Sequence, residues 1–269
     1  MSEFSTTFLI KQNCSGLSIT NVIPTPIENG FLVEVKDTDI EDSVYAILNY
    51  CYEEHGWFHG QYCKVCSADL WGFVNLELKE VVHPRYQEVE DVNEGISIIK
   101  EYGKYSYMYP GTGQPHRPIV YDKVWEFRNK MGRVFKDGLY GFVSYSTNSY
   151  ADDIPCRFLD AGDFSAFDGL LAPVQTEEGW RFIDRKKKFL TTIIFTEKPI
   201  EINHEACAVC VSGKWGVMDC YGKYFIDPIF DDFQWEYKIK GGKEFYAYIE
   251  EIKHNIDTDD WSYNEVENE

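Results

Sequence analysis

Ser212-Gly213-Lys214-Trp215-Gly216-Val217-Met218-Asp219 reads as a tight turn followed by a strand that opens on an aromatic residue, a glycine and two apolar side chains. Ahead of it, Ala206-Cys207-Ala208-Val209-Cys210 has the apolar run of a buried strand, so the two stretches form a hairpin. Behind it come a second turn, Tyr221-Gly222-Lys223, and then Asp227-Pro228-Ile229-Phe230-Asp231-Asp232-Phe233. Proline has no N–H to give to a ladder, so it is expected to end the strand there.

The same unit recurs upstream. Trp71-Gly72-Phe73-Val74, Tyr105-Ser106-Tyr107-Met108, Tyr140-Gly141-Phe142-Val143 and Trp180-Arg181-Phe182-Ile183 precede Trp215, at intervals of 34, 35, 40 and 35 residues. Flanking features keep phase with them. Apolar strands lie ahead, as in Tyr62-Cys63-Lys64-Val65-Cys66, and a proline and an aromatic follow, as in Pro84-Arg85-Tyr86, Pro118-Ile119-Val120-Tyr121 and Pro155-Cys156-Arg157-Phe158. Turn residues sit between, in Ser67-Ala68-Asp69 and Lys136-Asp137-Gly138. One hairpin cannot bury its own apolar face, whereas stacked copies can. The sequence therefore predicts a mainly all-β chain: tandem hairpin or three-strand repeats of about 35 residues in a solenoid-like or propeller-like array. The aromatics Trp71, Tyr105, Tyr140, Trp180 and Trp215 are expected to pack in its core, and Gly72, Gly141 and Gly216 to admit a neighbouring backbone.

On these residues the chain resembles the WG-repeat (KWG-repeat) proteins, a mostly bacterial family of tandem β-hairpin units. The resemblance covers about residues 60–235 and is closest at Trp215-Gly216 and at Trp71-Gly72. Ser106 and Arg181 replace the glycine in two other units, which puts close backbone approach there in question. The resemblance implies repeated β structure and, by association, an interaction role; it brings no catalytic residues.

Outside residues 60–249 the pattern changes. Residues 1–59 read as a cap or a degenerate first repeat, with strands around Pro24 and Pro26. Residues 39–54 place Ile40, Val44, Ile47, Leu48 and Cys51 on one helical face, predicting an N-terminal helix, although Val44-Tyr45-Ala46-Ile47-Leu48 also fits a strand. Glu244-Phe245-Tyr246-Ala247-Tyr248-Ile249 suits a closing strand, and residues 250–269 read as an acidic tail, solvated from 255 on. Truncating 255–269 is therefore expected to leave stability nearly unchanged.

Lys and Arg total 26 against 45 Asp and Glu, a formal charge of −19. Residues 1–60 hold 9 acids and 2 bases and residues 250–269 hold 8 and 1, which leaves only −5 for the repeat-bearing middle. A chain this acidic is repelled by nucleic acid and by anionic membrane, so neither is expected as a partner. With 44% apolar residues, no long apolar run and no leader-like opening, it reads as a folded cytoplasmic protein.

Cys63/Cys66 and Cys207/Cys210 have Cys-x-x-Cys spacing, the weak metal candidates of the chain. Each pair lies five residues before its Trp, in a strand, where residues three apart face opposite sides. Reduced, buried thiols are expected there and for the solitary Cys14, Cys51, Cys156 and Cys220, and no metal or cofactor is expected. Gly216 to Gly222 with Lys223 has the wrong spacing for a phosphate loop, and the six histidines form no i, i+4 metal pair. Arg185-Lys186-Lys187-Lys188 reads as a solvated turn or a contact for acidic groups, and Tyr109–Pro118 as an insertion rich in turn formers. The leading expectation is a non-catalytic protein-interaction module, an acidic inhibitor or immunity-type partner of a basic protein, using Glu250, Glu251, Asp257, Asp259 and Asp260. The alternative is a small-ligand or carbohydrate-binding protein or enzyme with a pocket of aromatics and carboxylates.

Overall fold

Short apolar runs broken by Gly, Asn and Asp favour brief strands and tight turns over helices. The computed structural model describes residues 17–27, 30–37, 43–49, 52–75, 79–145, 153–237 and 243–266. It is mainly β, and no described helix is long and apolar enough to cross a membrane. The chain divides into two compact units, Met1–Glu126 and Phe127–Glu269, within the strand Lys123–Arg128.

In the first unit a three-stranded sheet of Leu17–Ile27, Gly30–Asp37 and Ser43–Asn49 is followed by two four-stranded sheets. The Trp71 sheet contains Glu54–His59, Tyr62–Ser67, Leu70–Asn75 and Glu80–Tyr86; the Tyr105 sheet contains Glu88–Val89, Ser97–Glu101, Lys104–Tyr109 and Gln114–Pro115. In the second unit the Tyr140 sheet includes Met131–Lys136, Leu139–Ser144 and Ile154–Phe158. The Trp180 sheet has Asp160–Ala161, Leu171–Thr176 and Gly179–Asp184, and the Trp215 sheet has Ile200–Glu201, Ala206–Val211, Lys214–Asp219 and Tyr224–Phe230. Asp232–Tyr237, Lys243–Ile249, Ile252–Ile256 and Tyr263–Glu265 form a last sheet. Pairing runs between consecutive antiparallel strands throughout, the arrangement that tight turns permit.

Two expectations are corrected. The N-terminal helix is absent where it can be judged: Ser43–Asn49 is a strand paired with Gly30–Asp37 from Lys36↔Ser43 to Gly30↔Asn49. Val44, Tyr45 and Ile47, β-branched or aromatic, favour the extended chain over the helical stripe. Nor is the region after residue 250 a solvated tail. Ile252–Ile256 pairs with Lys243–Ile249 and then with Tyr263–Glu265. Ile256 is buried, Trp261 stacks on Phe225 at 4.9 Å and Tyr263 meets Phe230 edge-on at 5.0 Å. Three apolar anchors outweigh the acidity of the stretch.

Neighbouring sheets share their cores. Phe73, Val82 and Tyr86 of the Trp71 sheet pack with Val89, Ile99 and Met108 of the Tyr105 sheet. In the second unit Phe142 and Phe158 join Val174 and Ile183; Phe182 and Leu171 join Cys207 and Met218; Val217 and Phe230 join Phe233, Phe245 and Ile256. A single sheet of this size is marginal, and the sheets that share a core within each unit stabilise one another. Several of the connections are short. At three junctions a single residue, Gln87, Leu159 or Asp231, stands between the last strand of one sheet and the first strand of the next, while residues 116–122 and 185–199 make longer links.

The glycine and the proline of the repeat work together. Trp71 pairs with Tyr86 and Phe73 with Val82, so His83, Pro84 and Arg85 bulge opposite Gly72. The same happens at Gly141, faced by Pro155, Cys156 and Arg157, and at Gly216, faced by Asp227, Pro228 and Ile229. A Cβ on Gly72 would lie 2.2 Å from the Val82 carbonyl oxygen; on Gly141 or Gly216 it would meet Ile154 or Ile226 carbonyl oxygen at 2.6 Å. So the proline does not end the strand as expected. It sits in a bulge, where its missing N–H costs nothing, and pairing resumes at the following aromatic.

Where the glycine is missing, the bulge widens. His116 N–H donates to the Tyr107 carbonyl and Tyr105 pairs with Tyr121, leaving Arg117, Pro118, Ile119 and Val120 opposite Ser106. Leu190 N–H donates to the Phe182 carbonyl and Trp180 pairs with Phe195, leaving Thr191 to Ile194 opposite Arg181. The extra residue makes room for a side chain, and each side chain bonds to the bulge it displaced: Ser106 Oγ to the Arg117 carbonyl at 2.7 Å, Arg181 Nη2 to the Thr191 carbonyl at 3.4 Å. Tyr109–Pro118 is thus not an insertion but the repeat's own turn, here a 3-10 turn at Pro110–Thr112, leading into the wider bulge.

Candidate functional site

The aromatic series is uneven in burial. Trp180 is buried, whereas Trp71, Tyr140 and Trp215 are half-buried and pack at the margins of the inter-sheet cores. Full burial falls two residues later on the same face of the strand, at Phe73, Tyr107, Phe142, Phe182 and Val217. Lysines cover some of the exposed ring faces, Lys64 over Trp71 at 5.8 Å and Lys198 over Trp180 at 4.9 Å.

An ion pair recurs at the rim. Lys104 and Lys214, each just before the aromatic, hold Asp122 and Asp231, each just after the aromatic that resumes pairing. In the other three units both positions change together: Leu70 with Gln87, Leu139 with Leu159, Gly179 with Thr196. A lysine without its acid, or the reverse, is not used.

Cys63, Cys66, Cys207 and Cys210 are all buried free thiols, and the two pairs occupy matching positions, Cys66 opposite Trp71 and Cys210 opposite Trp215. Cys207 lies in the core towards the Trp180 sheet, while alternation puts Cys210 on the other face with Ala206 and Ala208. A single ion cannot be reached by both. Burial pushes the Cys63 thiol up to about 12 and also raises Cys207. Cys156 and Cys220 are half-buried, and Cys14 and Cys51 lie outside the described residues.

The five candidate acids are all exposed but do not form one patch. Glu250 and Glu251 make the turn at one end of Ile252–Ile256, and Asp257, Asp259 and Asp260 make the loop at its other end. Strand rise separates the two groups by about 17 Å. Asp257 and Asp260 carboxylates accept the N–H groups of Asp259 and Ser262, which holds that loop closed, and the Ser262 hydroxyl with its N–H lowers the Asp260 pKa. Glu250 N–H instead donates to Asp231 Oδ2 at 3.0 Å. Asp231 and its neighbour Asp232 thus join Glu250 and Glu251 in a four-carboxylate edge that sequence spacing did not bring together. Lys214 and the Glu250 N–H lower the Asp231 pKa. Exposed Ile229 and Ile252 lie one or two residues from these acids in sequence.

The turn itself carries two like charges. Glu250 and Glu251 have φ of 51° and 68°, a left-handed pair that Asn-Gly fills most cheaply. Tyr102-Gly103, Asp137-Gly138 and Ser212-Gly213 put glycine second in the corresponding turn, whereas Ala68-Asp69 and Asn129-Lys130 are left-handed pairs without glycine; only Glu250-Glu251 places two like charges there among the described residues. Two glutamates there cost about 1 kcal/mol each in backbone strain.

An open cavity of about 410 Å³ lies between the Trp215 sheet and the last sheet, lined by Glu201, Ile202, Asn203, Lys243, Phe245 and Thr258. It offers one carboxylate, not the facing pair that glycoside hydrolysis requires. Among the described residues no group of three or more His, Cys, Asp or Glu is placed to hold a metal.

No curated protein matches the chain. Among solved structures it is similar to Hsv2 of Kluyveromyces lactis, at 9% identity over 89% of this chain and 94% of that one, with a TM-score of 0.41. It is also similar to a eukaryotic initiation factor, at 11% identity over 95% of this chain and 78% of the other, with a TM-score of 0.43. Residues 71–105 and 118–140 match the WG containing repeat. The first match starts in the third strand of the Trp71 sheet and ends in the third strand of the Tyr105 sheet, the phase that Gly72 and its bulge define. Between residues 71 and 140, then, the chain contains the WG containing repeat.

Proposed function

We propose that the chain is a non-catalytic interaction module acting in the cytoplasm, which presents the edge formed by Asp231, Asp232, Glu250 and Glu251 to a basic protein. The observation that carries this reading is the Glu250-Glu251 turn. Two like charges stand at left-handed φ where glycine would be cheaper, and residues kept at a cost to stability are candidates for a function outside the fold. A rigid acidic edge speeds encounter with an opposite field, which suits an inhibitor that covers a basic surface on a toxin or a nucleic-acid-acting enzyme.

The test is the double substitution Glu250→Asn with Glu251→Gly. It should raise stability by about 1–2 kcal/mol, since Asn-Gly relieves the turn, and weaken capture of the partner. Full-length wild type and variant would be used to capture proteins from the source organism at low and high salt, with mass spectrometry. A partner held equally by both proteins, or equally at both salt concentrations, would refute the proposal.

A further inference from the structure

With 45 acids for 26 bases, this chain has more than enough carboxylates to pair every cation. Many lysines are indeed matched, including Lys64 with Asp91, Lys100 with Glu88, Lys198 with Asp160 and Lys253 with Glu236. Lys186, Lys188 and Lys223 take part in none of the ion pairs among the described residues, and all three are exposed. They lie close together. Lys188 belongs to the turn after Gly179–Asp184 and Lys223 to the matching turn after Lys214–Asp219, and the two turns are neighbours, because a Cβ on Gly222 would lie 2.4 Å from Thr191 Cγ2.

The acids that open the two turns accept backbone N–H groups within them. Asp184 Oδ1 accepts the Lys188 N–H at 2.8 Å, and Asp219 Oδ1 accepts those of Tyr221 and Lys223, both at 2.8 Å. Arg185 reaches back to the Gly169 carbonyl at 3.0 Å, which sets the cations beside Leu170, 59% exposed, and the exposed Asp168. Tyr221, 85% exposed, flanks Lys223. The Leu171–Asp184 hairpin is polarised: Glu177 and Glu178 form its tip, and the basic turn leaves its opposite end.

We infer that this rim, Arg185, Lys186, Lys188 and Lys223 with Leu170 and Tyr221, is a second docking surface, for a short acidic segment of a partner protein. Charge complementarity selects an anionic occupant. The chain's own −19 selects against a polyanion, because a nucleic acid long enough to extend beyond the rim meets repulsion that salt screens only past about 8 Å. A short segment meets the local field alone, and the exposed leucine and tyrosine favour one that carries an apolar side chain. The surface is separate from the acidic edge and does not depend on it.

The experiment uses full-length protein and a fluorescein-labelled peptide of glutamates and aspartates around one leucine, read by fluorescence anisotropy at low salt. Saturable binding is expected, weakened about tenfold in the Lys186→Glu/Lys188→Glu/Lys223→Glu variant. Circular dichroism confirms that the variant is folded, and Lys136→Glu, at the end of a strand in the Tyr140 sheet, serves as the control that should bind as wild type does. No binding, equal loss in the control, no loss in the triple variant, or tighter binding of a single-stranded oligonucleotide of equal charge would each overturn the inference.

Discussion

Replacing Gly216 with alanine isolates the steric demand of the repeat from its backbone demand. The added Cβ would lie 2.6 Å from the Ile226 carbonyl oxygen, 2.8 Å from the Pro228 nitrogen and 2.9 Å from the Asp227 carbonyl carbon, all of them backbone. No side chain can swing away, so the bulged strand must move by about half an ångström or more and give up packing on both faces, an overpacking cost of about 3 kcal/mol. Gly213, in the same hairpin, gives the comparison: its φ is +81°, but nothing lies within 4 Å of an added Cβ. Gly213→Ala therefore meets only the left-handed penalty, about 1 kcal/mol. Thermal melts followed by circular dichroism should separate the two, with losses of about 6–12 °C and about 2–4 °C. A third variant copies the Ser106 unit: Gly216→Ser with one residue inserted between Pro228 and Ile229 should recover much of the loss. If Gly216→Ala melts no lower than Gly213→Ala, the close approach is not what the glycine serves, and the coupling between glycine and bulge length is wrong.

Truncation after Asn255 should destabilise the protein by about 4 kcal/mol, from the burial of Ile256 and two aromatic contacts, and a melt unchanged from wild type would show that the last sheet is not held by them. The buried thiols give a pH prediction. Because Cys63 is held up at about 12 against an ordinary 9.0, the folded state keeps its proton longer than the unfolded one; this contribution is complete below pH 9 and is lost as pH rises from there towards 12. Urea melts across that range should show the decline shrink in Cys63→Ala, and iodoacetamide at neutral pH should modify Cys156 and Cys220 well before Cys63 or Cys207, as peptide mapping would show.

The repeat was legible because spacing survives substitution: Trp71, Tyr105, Tyr140, Trp180 and Trp215 mark the same strand in five sheets. The role of the proline was not, since a missing N–H signals the end of a ladder equally well as a bulge, and only the partner strand distinguishes them. Residues 39–54 misled because a helical stripe and a β-branched run coexist there, and pairing with Gly30–Asp37 decides the outcome. The acidic edge was half legible. Glu250 and Glu251 stand out by composition, but Asp231 reaches them through a contact nineteen positions away in sequence. The basic turn was visible as a run, whereas its neighbour Lys223 is brought to it by sheet stacking alone.

The short junctions at Gln87, Leu159 and Asp231 have an evolutionary consequence. The sequence repeat runs from aromatic to aromatic, but each sheet starts two strands earlier, so one genetic copy supplies the end of one sheet and the beginning of the next. Duplicating a copy inserts a sheet already joined to both neighbours, with no linker to invent. Losing one removes parts of two sheets, yet the remaining halves fuse in phase, so such an array can change its number of units by recombination without passing through an unpaired intermediate.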